Sequence, residues 1–217
     1  MSIKERYKRT IEYFLTNIPE AETELTYKNP FELVVSVILS AQCTDKRVNI
    51  ITPALLKQYP DAESMAKAEP EEIFEYIKSC SYPNNKSKHL SAMSRTLISE
   101  FGGIIPSDPL LLQRLPGVGR KSANVIASVV FKKPVMAVDT HVFRVSKRIG
   151  LVENAQTPLM VENQLSANIP DELIHKAHHW LIHHGRYVCK ARNPICNQCG
   201  INAFCKYYME NNIKKIN

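Results

Sequence analysis

The sequence predicts an all-α fold. Apolar residues recur at three- and four-residue intervals along most of the chain, no run of alternating strands occurs, and short breaks rich in proline, asparagine or glycine separate the periodic stretches. The 217 residues are 44% hydrophobic and 23% charged, the composition of a soluble globular protein with one large or two small domains. Only 7 residues are glycine, and neither GxGxxG nor GxxxxGK[ST] is present, which argues against a glycine-rich dinucleotide or phosphate cradle.

Taken in order, residues 3–17 place Ile3, Tyr7, Ile11, Phe14 and Leu15 on one helical face. The run Leu33–Leu39 suits a buried strand by composition. It continues into Ser40, Ala41 and Gln42 without a turn residue, so a buried helix is the favoured of two open readings. Amphipathic helical stretches follow at 45–58, 69–79, 86–101, 108–114, 120–131, 139–149, 158–168 and 171–184. The breaks are Tyr59-Pro60-Asp61, residues 81–85, Gly102-Gly103, Lys133-Pro134 and Ile169-Pro170. No fixed-period repeat or low-complexity tract is present.

The first nine residues are polar and mixed in charge, unlike a signal peptide, and the most apolar run, Leu33–Ala41, is too short to span a bilayer. A cytoplasmic protein without membrane association is expected. Twenty-eight Lys and Arg against 21 Asp and Glu leave a net charge of +7, which suggests a polyanionic partner. Six cysteines without a secretory leader point to a reducing compartment, where thiols serve metals or catalysis.

Three constellations could carry chemistry. Cys189, Cys196, Cys199 and Cys205 form C-x6-C-x2-C-x5-C, four thiols within 17 residues, whereas Cys43 and Cys80 stand alone and read as core thiols. Four thiolates together imply zinc or an iron–sulfur cluster. Structural zinc usually takes two C-x2-C pairs and only one is present, so the spacing tilts towards iron–sulfur.

The second constellation is Leu115-Pro116-Gly117-Val118-Gly119-Arg120-Lys121-Ser122-Ala123. It opens a helix whose core face is Ala123, Ile126, Ala127 and Val130. Gly117 and Gly119 permit a tight hairpin with positive φ and close approach of a ligand. The amides at the next helix's start, with Arg120 and Lys121, would then seat a phosphate. A plain helix–helix turn is the alternative. In the third, Val138, Val142, Val145 and Ile149 share a helical face that begins at Asp139. An aspartate there is either an N-cap or a catalytic carboxylate, and local sequence does not choose. His175, His179 and His183 repeat every four residues, a spacing that could hold a metal along one helical face, but no H-E-x-x-H is present, and packing or phosphate contacts are the favoured readings.

Together these motifs closely resemble the endonuclease III family of DNA glycosylases, within the helix-hairpin-helix superfamily. Leu115–Ala123, then Val138-Asp139-Thr140-His141-Val142-Phe143-Arg144, then the four-cysteine tail follow the family order. Ser40–Asp45, His178-His179-Trp180-Leu181 and His184-Gly185-Arg186 also match family motifs, so the resemblance covers nearly the whole chain. It implies two helical domains with a DNA-binding cleft between them. Residues 23–133 would be a six-helix domain holding the hairpin at about 109–131, and residues 1–22 with 134–217 would be the discontinuous cluster domain. Lys121 and Asp139 would flank the cleft.

By the same resemblance, the protein removes oxidised pyrimidines from damaged duplex DNA and has AP lyase activity. Lys121 would be the nucleophile that attacks C1′, displaces the base and forms a Schiff base for β-elimination. That chemistry needs a neutral amine, which burial and a helix N-terminus both favour. Asp139 would stabilise positive charge at the sugar or relay a proton. The four cysteines would hold a 4Fe–4S cluster, and Lys190 and Arg192 in the loop between its first two ligands would meet phosphates. Gly117, Gly119, Arg120, His141 and Arg144 would join them at DNA, with Gln42 and Tyr82 filling the gap left by the flipped base. Tyr82-Pro83 departs from the family's usual Leu-Tyr, with a ring where a leucine wedge is usual and a proline stiffening the loop. A bacterial, nucleoid-associated monomer is expected. The rivals are a monofunctional adenine or mismatch glycosylase, which typically lacks the lysine, and a non-catalytic iron–sulfur DNA-binding protein.

Overall fold

Short polar side chains set most of the helix starts. In the computed structural model, which describes residues 1–216 and side chains through Asn211, α1 (Ile3–Asn17) begins where the Ser2 hydroxyl accepts the Glu5 amide. Asn29, Thr44 and Asp61 cap α2 (Pro30–Ser40), α3 (Asp45–Gln58) and α4 (Ala62–Lys67) in the same way. There follow α5 (Pro70–Ile77), α6 (Pro83–Phe101), α7 (Pro109–Leu112), α8 (Arg120–Phe131), α9 (Thr140–Ile149), α10 (Pro158–Asn168), α11 (Asp171–Tyr187) and α12 (Lys206–Ile216). No strand occurs among the described residues. None of the helices described is long and apolar enough to cross a membrane.

The chain divides into two compact units, Thr23–Lys132 and residues 1–22 joined with the chain from Lys133 onward. The first has six helices of at least six residues plus the single-turn α7. Its centre is α2 packed on α8. Phe31 and Leu33–Leu39 are buried without a break, which is why that run gives no clear periodicity. The Asn29 cap and Pro30 in the first turn make it a helix rather than a strand. In α8, every residue from Ala123 to Val129 is buried while Val130 is only half-buried, so the single core face read from the sequence was too narrow. Helices α4 and α5 lie against α6.

In the other unit the N-terminal helix is tied to the C-terminal half by aromatic and charged contacts. The Phe14 ring stacks on Trp180 at 5.7 Å between centroids, and Trp180 Nε1 donates to Ile18 O at 2.7 Å. Arg6 is buried, donating from Nε to Phe204 O (3.2 Å) and from Nη1 to Gly150 O (3.1 Å). Leu15, placed on the core face by periodicity, is exposed, and Thr10 is buried in its stead. Two elements escaped the sequence reading: α4 is too short to show a period, and α12 follows directly on the cysteine segment. Residues 81–85, read as a break, contain the start of α6 at Pro83, a residue suited to a first helical turn.

Candidate functional site

Helix α7, the turn through Gly117 and helix α8 make the hairpin. Gly117 has φ +84°, and a Cβ built there would sit 2.9 Å from the Cβ of His89, so both backbone and space require glycine. Gly119 differs. Its φ is −86°, ordinary for any residue, and a Cβ there would meet nothing within 4 Å. Positive φ is therefore needed at one glycine of the pair, and the protein's own packing gives no reason for the other. Gly119 precedes α8 without a side-chain cap, and Gly119, Arg120 and Lys121 are exposed. The helix thus opens on amides with no capping side chain at a basic surface, the arrangement that seats an anion. Lys121 is the second residue of α8 and is exposed. Of the two effects expected to favour its neutral amine, the helix terminus is present and burial is not.

Asp139 caps α9: its Oδ1 accepts the Val142 amide at 2.8 Å, and the residue is half-buried. The segment leading to it is held by His178, buried on α11, whose Nδ1 donates to Ala137 O at 2.8 Å. His178 is therefore a positioning residue for Asp139. On the next turn, Arg144 donates to Cys189 O (3.2 Å), Thr140 O (3.3 Å) and Gly185 O (2.9 Å), and its Nη2 lies 3.2 Å from His141 Nδ1. The guanidinium expected at DNA bonds the protein's own carbonyls, joining α9 to the end of α11. A Cβ at Gly185 would come within 3.0 Å of the Cβ of His141, so glycine is what lets these helices approach.

Cys189, Cys196, Cys199 and Cys205 line one small pocket together with His184, Ile195 and Tyr207. Burial, then the neighbouring Cys189, pushes the Cys196 thiol up, and the Arg148 charge opposes it there. Cys199 and Cys205 are pushed up chiefly by burial, with the neighbouring thiols adding to it. Two nitrogen groups face the sulfurs: Arg148 Nη1 lies 3.6 Å from Cys189 Sγ and His184 Nε2 lies 3.7 Å from Cys199 Sγ. Desolvation, then the neighbouring His183, pushes His184 down to about 4, so it is neutral at pH 7. Arg148 also fastens the loop between the first two cysteines, donating to Lys190 O (2.7 Å) and Ala191 O (3.0 Å) and stacking over Tyr207. The Lys190 and Arg192 side chains are left exposed.

The sequence reading missed Arg148. Its signal was there, one helical turn beyond Arg144 and on the same face. Among the described residues, no three His, Cys, Asp or Glu side chains converge as they would around a single ion. Of the histidine row, His175 and His179 are half-buried and His183 is exposed against Tyr187, with ring centroids 4.7 Å apart.

Residues 35–171 match the family model described as HhH-GPD superfamily base excision DNA repair protein. The chain is 48% identical over 200 residues to endonuclease III of Rickettsia conorii, covering 92% of this chain and 95% of that protein. The Bacillus subtilis endonuclease III is 45% identical, with 91% and 92% covered. The chain belongs to the endonuclease III family. A solved structure of a trapped endonuclease III–DNA covalent intermediate superposes with a TM-score of 0.92 at 39% identity, covering 97% of this chain and 99% of that one. A thermostable thymine-DNA glycosylase, 23% identical with a TM-score of 0.85, shares the fold.

In this member of the endonuclease III family, the two elements expected to fill a DNA gap sit on turns that touch. Gln42 and Tyr82 are both exposed and both left-handed, with φ of +53° and +54°, a strained conformation for side chains of their size. The Ser81 hydroxyl donates to Gln42 O at 2.6 Å. Beneath them Lys86, 4% exposed, donates from Nζ to Leu39 O (2.8 Å) and Ala41 O (2.7 Å) and reaches Cys80 Sγ (3.2 Å) and Ser81 Oγ (3.3 Å). An ammonium has three protons, so Cys80 and Ser81 share the third. This buried clamp is not legible in the sequence, where residue 86 only opens the helical stretch 86–101.

Proposed function

We propose that this protein is a base-excision-repair DNA glycosylase with AP lyase activity, acting on oxidised pyrimidines in duplex DNA. The observation that carries the reading is Lys121, an exposed primary amine on the second residue of a helix that opens without a side-chain cap beside Gly117 and Gly119. A phosphate seated on those amides would hold the strand while the amine attacks C1′ of the damaged nucleotide. The glycosidic bond breaks and the base departs with a proton; the C1′–O4′ bond then opens, O4′ takes up a proton, and the nitrogen–carbon bond becomes a Schiff base. Loss of a C2′ proton then expels the 3′ phosphate. Asp139, fixed by the Val142 amide and by His178 behind it, supports the positive charge that develops at the sugar. Arginine at 121 could not form the imine, because it keeps its charge and offers no free amine.

The cysteine quartet fits a 4Fe–4S cluster. Four thiols line one pocket, three of them, Cys196, Cys199 and Cys205, held towards the neutral form by burial; a multivalent cation turns such thiols into thiolates, and nitrogen groups from Arg148 and His184 already face two of the sulfurs. The cluster would supply structural ordering and charge around the exposed Lys190 and Arg192, which meet phosphates. The enzyme acts as a monomer in the bacterial cytosol.

The test is borohydride trapping on duplexes carrying thymine glycol or an abasic site. Wild-type protein should form a covalent adduct, and Lys121→Gln should bind the duplex nearly as well yet form none. Release of thymine glycol without an adduct would favour a monofunctional glycosylase. An adduct with Lys121→Gln would remove Lys121 from the mechanism.

A further inference from the structure

The cysteines outside the quartet are not two isolated core thiols. Cys43 follows the Gln42 turn and is partly exposed, whereas Cys80 lies two residues before Tyr82 and is 4% exposed. Though 37 positions apart in sequence (80 − 43), their turns are bonded together: the Cys80 thiol donates to Leu39 O at 3.4 Å, the Ser81 hydroxyl donates to Gln42 O at 2.6 Å, and the two thiols are close enough to perturb one another. The Lys86 ammonium, 3.2 Å from Cys80 Sγ, sits beside the pair.

The two thiols are unequal. Partial burial by itself would raise Cys43, but the Ser81 amide, the Cys80 thiol and the Lys86 charge outweigh it and hold Cys43 below the ordinary thiol range. Cys80 is raised, first by burial and then by Cys43, with Lys86 only partly opposing this. The exposed member is thus the better thiolate and the buried member keeps its proton. That is the division of labour between an attacking and a resolving thiol.

We propose that Cys43 and Cys80 form a redox-modification site at which a peroxide converts the two thiols into a reversible intramolecular disulfide. The Cys43 thiolate attacks a peroxide oxygen, the O–O bond breaks, and hydroxide leaves and is protonated to water. Cys43 is then a sulfenic acid. The Cys80 sulfur attacks it, the S–S bond forms, the S–O bond breaks, and the hydroxyl departs with the Cys80 proton as a second water. The thiols lose two electrons and the peroxide gains them. The product ties the backbone beside Gln42 to the backbone beside Tyr82 through a covalent link. In a reducing compartment such a bond is transient, as redox-sensing disulfides are.

The test uses the cluster-loaded protein, with its visible absorbance followed throughout. Brief exposure to hydrogen peroxide, alkylation of the remaining thiols and tryptic digestion should yield residues 29–46 joined to residues 79–86, each containing one cysteine. Dithiothreitol should release them. In Cys80→Ala the resolving thiol is gone, and dimedone should capture a sulfenic acid at Cys43. Wild type should give little dimedone adduct and Cys43→Ala none at this turn. The proposal is overturned if wild-type Cys43 accumulates as a dimedone adduct or sulfinic acid without the 29–46/79–86 link. It is equally overturned if both thiols stay reduced while the cluster absorbance bleaches.

Discussion

Replacing each hairpin glycine with alanine separates a glycine that the fold needs from one that only DNA would need. At Gly117 the added Cβ must adopt φ +84° and lies 2.9 Å from His89 Cβ. A left-handed conformation costs a residue with a Cβ about 1–2 kcal/mol, and forcing an extra methyl into occupied space costs about 1–3 kcal/mol. The stiffer unfolded chain offsets about 0.4–1 kcal/mol of this, so a net loss of about 1–4 kcal/mol is expected. For a protein of this size that lowers Tm by several degrees. At Gly119 the φ of −86° suits alanine and the space is open. The weaker N-cap and the stiffer unfolded chain nearly cancel, leaving stability within about 0.5 kcal/mol of wild type. A methyl where a phosphodiester should approach the α8 amides ought nevertheless to weaken binding to abasic-site duplex by about ten-fold or more, about 1.4 kcal/mol. Thermal melts and fluorescence anisotropy on the two variants measure both quantities. Wild-type affinity in a folded Gly119→Ala protein would refute the assignment of the hairpin as the phosphate seat.

The two roles of Asp139 separate in the same manner. The side-chain amide introduced by Asp139→Asn keeps an N-cap acceptor for Val142, so stability should hold within about 0.5 kcal/mol while base excision falls about 10²–10⁴-fold; full excision activity would make Asp139 a cap and nothing more. Asp139→Ala should in addition lose about 1 kcal/mol of stability, read by thermal or denaturant melts. Replacing Cys199 with Ser should bleach the yellow-brown absorbance of a cysteine-ligated iron–sulfur cluster, and a colourless, zinc-containing wild-type protein would show that assignment to be wrong. Removing both Lys190 and Arg192 should lower the slope of log affinity against log salt by about 2 if each meets one phosphate, and an unchanged slope would place both away from DNA.

Much of this protein is legible in its sequence because the informative features are local. Helical periodicity, the Leu115–Ala123 motif, the aspartate at the head of α9 and the spacing of the four cysteines each depend on residues close together in the chain. The elements that local reading misjudged are those surrounded on all sides or too short to have a period: α2, α8 and α4. What remained hidden depends on partners far apart in sequence. Arg144 reads only as a DNA contact from local sequence, and its carbonyl acceptors on residues 185 and 189 are visible only in the fold. Lys86 is only the first residue of a helical stretch in the sequence, and the fold places it between the chain at Leu39–Ala41 and Cys80. Gly117 and Gly119 are indistinguishable as letters, yet only one has His89 against it. Cys43 and Cys80 read as solitary thiols because nothing local relates positions 37 apart (80 − 43), and only the folding of α2 and α6 around Lys86 brings them together. The sequence alone determined the helical class, the family and the chemical groups available. The tertiary structure decided which of those groups are committed to the protein's own backbone and which stay exposed for DNA, since a hydrogen-bond partner is a property of space and not of chain order.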